Sequence, residues 1–152
     1  MKKNSHTKNT GNESIRSGDF GESFIAYLLA KEGIEVVRAN TVGFDLLAID
    51  QTGKLFPKKK LIGISVKARI SKTHKRYRPT IPMGSAKIWM SMKKWDADAY
   101  IGIVVGSQDG DFDAFVFPHK DLLKLAGRTR RKDVVAVSEL YKNSNKNIIK
   151  LF

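Results

Sequence analysis

The chemistry open to this 152-residue chain rests on four side chains: Glu22, Asp45, Ser65 and Lys67. Asp45 stands in the run Phe44-Asp45-Leu46-Leu47-Ala48-Ile49. An ionised carboxylate in such a run costs stability unless it is paired, hydrogen-bonded or bound to a metal. The competing reading is an Asp at the solvent end of a strand. Ser65 and Lys67 are two apart in Leu61-Ile62-Gly63-Ile64-Ser65-Val66-Lys67, so both point to one strand face and Ile64 and Val66 to the other. A Lys among such neighbours needs a charge partner or a ligand, or else it snorkels from an edge strand. Glu22 follows Gly21 in a helical pattern. At about 100° per residue it falls beside Leu29, on the border of the apolar stripe. A carboxylate there either reaches past the helix toward a sheet or stays solvated.

The charge distribution bears on what such a site would act upon. The formal net charge is +13. From Lys54 to Lys94 there are 13 Lys or Arg residues and no Asp or Glu, while the rest of the chain balances at 15 of each sign. A concentrated positive excess points to a polyanion: nucleic acid or an anionic membrane surface. Lys58, Lys59 and Lys60 precede the Lys67 strand; Arg69, Lys72, Lys75, Arg76 and Arg78 follow it, with Tyr77 among them. These eight are the candidate phosphate contacts. Zero Cys excludes a disulfide scaffold, a thiolate zinc site and a Cys nucleophile, and fits a cytoplasmic protein. No apolar run approaches the roughly 18–20 residues of a membrane span, so no membrane is expected as a partner. The polar start, Met1 to Asn12, lacks the apolar core of a secretory leader.

The elements that must hold these residues are read from periodicity. Residues 1–14 read as a disordered polar tail, and 15–152 as a single domain. Phe20, Phe24, Ile25, Leu28 and Leu29 recur at helical spacing, predicting a helix over 15–31 with Gly33 as its stop. Strands are predicted over 35–38, 44–49 and 61–67, then a basic loop over 70–84. A helix capped by Ser85 runs to about Trp95, followed by strands over 100–105 and 114–117, the first buried on both faces. A short helix over 119–125, an edge strand over 134–137 and a helical turn at 139–141 complete the chain. The order implies an α/β domain with a central mixed sheet flanked by helices. Gly63 marks a place where something approaches the backbone closely.

In this order and context, Gly21-Glu22 on a helix, Glu35-Val36-Val37, Gly43-Phe44-Asp45-Leu46-Leu47 and Ile64-Ser65-Val66-Lys67-Ala68-Arg69 resemble the PD-(D/E)xK nuclease superfamily. The nearest look is to its small members, the Holliday-junction-resolvase-like and intron-type endonucleases. Asp98-Ala99-Tyr100 and Phe117-Pro118 match the way many such chains close the domain, and the similarity spans roughly Gly18 to Leu125. The resemblance implies a restriction-endonuclease-like fold and a Mg²⁺- or Mn²⁺-dependent endonuclease that hydrolyses DNA phosphodiester bonds. It makes Asp45 the principal metal ligand, Glu22 the helix-borne acid that helps hold the metal, and Lys67 the group that orients or helps deprotonate the attacking water. Position 65 would ordinarily carry an acid; Ser65 is the departure, leaving two carboxylates where three are usual. The alternative is therefore a catalytically inactive nucleic-acid-binding protein on the same fold. Cutting both strands with one small domain usually takes two copies, so a homodimer is an expectation that no residue of the sequence shows.

Other features carry blander readings. His6, His74 and His119 lack ligand spacing. Asp109, Asp111 and Asp113 read as a hairpin turn rather than a calcium loop. Trp89 and Trp95 read as core or interface, with stacking on bases the minority view. The run Arg128-Thr129-Arg130-Arg131-Lys132 suits either a phosphate contact or a solvated loop.

Overall fold

The computed structural model describes residues 10–39, 41–71, 80–107, 110–125, 134–143 and 148–152. Helix α1 (Thr10–Lys31) leads into β1 (Glu35–Arg38), β2 (Leu46–Ile49) and β3 (Leu61–Ser71). Then come β4 (Thr80–Pro82), α2 (Ser85–Trp95), β5 (Asp98–Ser107), β6 (Phe112–Pro118), a 3-10 segment (His119–Leu125), β7 (Val134–Ala136), α3 (Val137–Asn143) and β8 (Ile149–Lys150). Six strands form one mixed sheet in the order β1-β2-β3-β5-β6-β8, in which only β3 and β5 run parallel. The chain crosses between these two through α2.

Each face of the sheet has its own core. Ile25, Leu28 and Leu29 of α1 pack on Leu46, Ala48, Ile62, Ile64, Val66 and Val104. On the other face, Ile88 of α2, the β4–β7 ribbon and Leu140 of α3 pack on Ala99, Ile101, Ile103, Phe115 and Phe117. The even-numbered residues of β3 therefore face α1, and Ser65 and Lys67 belong to the face that α2 covers.

Several boundaries differ from those read in the sequence. α1 begins at Thr10, five residues before Ile15, because helical hydrogen bonds propagate beyond the apolar stripe once packed turns exist. β2 starts at Leu46, since Phe44 leaves the strand to enter the opposite core. The predicted 70–84 loop instead holds the last residues of β3, and β4. Ser85 is the first helical residue of α2, not its cap; Gly84 occupies that position with φ 65°. Residues 134–136 pair with β4 away from the main sheet, and Val137 begins α3. At two residues, β8 is too short to leave a periodic signal.

The turn after β2 is organised by Asp50, which is only 1% exposed. Its Oδ1 accepts from Thr52 N, Thr52 Oγ1 and Gly53 N, all at 2.9 Å. Its Oδ2 accepts from Leu55 N at 2.7 Å and Phe56 N at 3.1 Å. Burial by itself would raise this carboxyl's pKa; the donors outweigh it and hold the group well below the usual carboxylate range. Asp50→Asn turns an amide N–H toward one set of these donors, and is expected to cost about 2–4 kcal/mol at pH 7. A depressed folded-state pKa contributes stability above the unfolded value near ~3.9 and loses it as pH falls. The melting-temperature gap between wild type and Asp50→Asn should therefore narrow between pH 7 and pH 3, as differential scanning fluorimetry would read.

The positive segment is also less uncompensated in space than in sequence. Lys54 pairs with Glu32 of α1, and Lys60 Nζ lies 3.0 Å from Asp98 Oδ1.

Candidate active site

Asp45 is set by three close approaches. Gly43, with φ +100°, lies where a Cβ would overlap the Lys87 carbonyl of α2. Ser91 Oγ of the same helix donates to the Val42 carbonyl, so the segment before Asp45 is fastened to α2. Phe44 lays its ring over Gly63, where a Cβ would overlap that ring. Asp45 itself extends the sheet by one residue: its N–H donates to Ile64 O at 2.9 Å, and its carbonyl accepts from Ala39 N at 2.8 Å. The β2–β3 pairing ends at Leu46↔Ile64, and Asp45 holds the β3 backbone on either side of Ser65, at Ile64 O and Val66 N. Its Oδ2 accepts from Val66 N at 2.6 Å.

Glu22 arrives from the other core. Gly21 lets α1 press onto β3, since a Cβ there would lie 2.8 Å from Ala68 Cβ. The carboxylate faces Arg38 at the end of β1, with Arg38 Nη1 3.6 Å from Glu22 Oε2. Arg38 is anchored by donating to Ser23 Oγ, and by Nη2 to Asp19 O at 3.5 Å.

The two carboxylates and Lys67 act on one another electrostatically. Burial raises the Glu22 pKa, as do the Asp45 charge and, less strongly, Asp19; Arg38 and Lys67 oppose them. Burial also raises the Asp45 pKa, against the Val66 N–H and the Lys67 charge. Ser65 is 3% exposed, beside Ile101 of β5, and Lys67 lies beside Ile103. Among the described residues Lys67 has no carboxylate within ion-pair distance. Glu22, Asp45 and Lys67, from separate parts of the chain, thus influence one another's charge state, and Ser65 lies between the two β3 backbone groups that bond Asp45.

The donor set suits a hard divalent cation. Two partly desolvated carboxylates with raised pKa values, Glu22 raised in part by the Asp45 charge, are the groups a cation would relieve, and Mg²⁺ commonly takes one or two carboxylates and keeps several waters. Among the described residues no group of three or more Asp, Glu or His side chains is assembled.

Not every candidate comes to this place. Lys58, Lys59 and Lys60 lie in the turn at the far end of β3; Leu61 to Lys67 is six residues, about 20 Å of strand. Arg69 is exposed two residues beyond Lys67. Lys72, Lys75, Arg76 and Arg78, with His6, His74 and the 128–132 run, lie outside the described residues. Trp89 is 55% exposed rather than core. Arg38 is the neighbour that the sequence did not single out. Its signal is the β1–β2 pairing, in which Arg38 stands opposite Leu46, one residue from Asp45.

The main sheet is six-stranded and mixed, with helices on both faces, in a single α/β domain. No protein-family model and no curated protein matches the chain. Among solved structures, the chain is similar to Hjc of Archaeoglobus fulgidus, described as a Holliday junction resolvase from an archaeal hyperthermophile. The TM-score is 0.50 at 17% identity, covering 80% of this chain and 90% of that one. At that identity the likeness speaks for the fold alone. Among the described residues no helix is long and apolar enough to cross a membrane.

Proposed function

We propose that this chain is a divalent-metal-dependent endonuclease acting on DNA. What supports the proposal is that the pKa of Glu22 is raised by burial and by the Asp45 charge, that burial raises Asp45, and that Lys67 opposes both shifts. Asp45 and Glu22 would hold Mg²⁺ or Mn²⁺. The bound cation would supply positive charge to offset negative charge at the phosphate and would acidify a water. Lys67 offsets phosphate charge and orients the attacking water. Arg69, and Arg38 when not engaged with Glu22, offer positive charge to flanking phosphates. The likeness to a resolvase fold supports a DNA substrate.

Ser65 favours a second reading. A buried hydroxyl stands at position 65, between the two backbone groups that bond Asp45, where the resembled pattern would carry an acid, so a DNA-binding protein without cleavage retains the same charge pattern. Plasmid nicking with Mg²⁺ or Mn²⁺ separates the two. The expected result is metal-dependent nicking by wild type that Lys67→Ala reduces at least about 100-fold. Nicking unchanged in Lys67→Ala would place the activity elsewhere, and tight, salt-sensitive DNA binding without nicking on any substrate would leave the binding protein.

A further inference from the structure

Helix α2 presents an unusual outward face. Around its exposed arc stand, in angular order, Trp89, Lys93, Ala86, Met90, Lys94 and Lys87. Trp89 is 55% exposed and Met90 67%. Next along the arc comes Ser91, which holds the Val42 carbonyl, and Val42 is itself 63% exposed. On this arc Lys94 and Lys87 stand between Met90 and Ser91, so lysine charge lies between the Met90 side chain and the segment that delivers Asp45. The indole of Trp89 is steadied from one side by a perpendicular contact with His119, ring centroids 5.9 Å apart. Trp95 differs: Lys94 Nζ lies 5.8 Å from its ring centroid, and the ring packs against the core beneath α2.

Large exposed apolar side chains interleaved with lysines suit a partner that is flat and apolar on one side and anionic on the other. An unpaired nucleotide has that character: its base offers a face for stacking and its phosphate pairs with Lys. Bases within a duplex offer edges and phosphates, and their faces are already covered. The absence of any acid between Lys54 and Lys94 argues for a polyanion over an ordinary protein surface. We propose that Trp89, with Lys93 next to it on the exposed arc, forms a stacking platform for an unpaired base of DNA. The substrate class would then be DNA with unpaired bases. This rests on the DNA-directed reading of the site and specifies it.

The chain has two tryptophans, so Trp95→Phe leaves Trp89 as the sole indole reporter. The substitution forfeits no internal hydrogen bond, because Trp95 Nε1 is buried without a partner. Should that variant fold poorly, the difference between wild-type and Trp89→Phe emission reports the same indole. Titration in EDTA, at low salt, uses a 12-nucleotide oligothymidylate and a duplex of equal length. The oligothymidylate is expected to quench Trp89 emission by roughly half or more, and the duplex to leave it nearly unchanged. Trp89→Leu should weaken oligothymidylate binding by about 10- to 100-fold, with duplex affinity within about threefold and Trp89→Phe close to wild type. Oligothymidylate that binds by anisotropy without quenching, or a Trp89→Leu loss equal on both DNAs, would overturn the platform while leaving DNA binding intact. If neither DNA binds, the DNA-directed reading falls and the platform with it. No step uses a metal, so a defective metal centre cannot imitate either result.

Discussion

Asp45→Asn is expected to abolish nicking while making the protein more stable. Loss of the principal cation ligand should lower the rate at least about 1000-fold, equivalent to about 4 kcal/mol of barrier. The stability change has the opposite sign to most substitutions at half-buried polar sites. Asp45 is held above its usual pKa by burial, so its ionised form is a liability to the folded state near neutrality. Asn keeps an oxygen that can accept from Val66 N and carries no charge. The expected gain is about 1–3 °C in melting temperature at pH 7, kept small because the group is partly solvated. A raised folded-state pKa favours folding below the unfolded value and loses that contribution as pH rises through the folded one. The variant's advantage should accordingly vanish near pH 3 and grow toward pH 7. Mn²⁺ should stabilise wild type through linkage and leave Asp45→Asn unmoved. A variant less stable than wild type at pH 7, and still stabilised by Mn²⁺, would mean that Asp45 is a structural cap and not a ligand.

Ser65→Glu is expected to act in the other direction. Position 65 lies between the Ile64 carbonyl and the Val66 N–H that bond Asp45, on the face that also holds Lys67. A Glu there adds a third carboxylate beside two whose pKa values are already raised. Without a cation the variant should lose about 1–3 kcal/mol, since another charge is buried beside like charges. With Mn²⁺ the deficit should be recovered, and Mn²⁺ affinity should rise roughly 10- to 100-fold by calorimetry. If occupancy limits the wild-type site, nicking at low Mn²⁺ should rise in proportion. A variant destabilised equally with and without Mn²⁺ would mean that the Asp45–Glu22 pair is no cation site, and would favour the non-cleaving reading.

The parts of this arrangement legible in the sequence are those with a local signature. Asp45 and Lys67 stand out because each is charged within an apolar strand, and Glu22 because it borders a helical stripe. The fold class follows from apolar runs whose periods alternate between about 3.6 and 2. What stayed illegible depends on partners distant in the chain. Arg38 is unremarkable until β1 pairs with β2. Lys58, Lys59 and Lys60 appear to neighbour Lys67 along the sequence, yet a strand separates charges that a loop would have kept together. Lys54 and Lys60 look uncompensated until Glu32 and Asp98 meet them. Trp89 follows the same periodic pattern as a core residue, and only the turn of α2 shows its ring outside.

Gly21, Gly43 and Gly63 have a practical consequence for anyone mapping this protein by saturation mutagenesis. Each occupies a place where one added carbon would push apart the elements that carry Glu22 and Asp45. In a screen scored by cleavage these three positions would rank with the carboxylates as intolerant, though none has a functional group to offer a substrate. Scoring the same library for folded yield would sort them: intolerant glycines should fail both screens, whereas ligand substitutions should fail only the first.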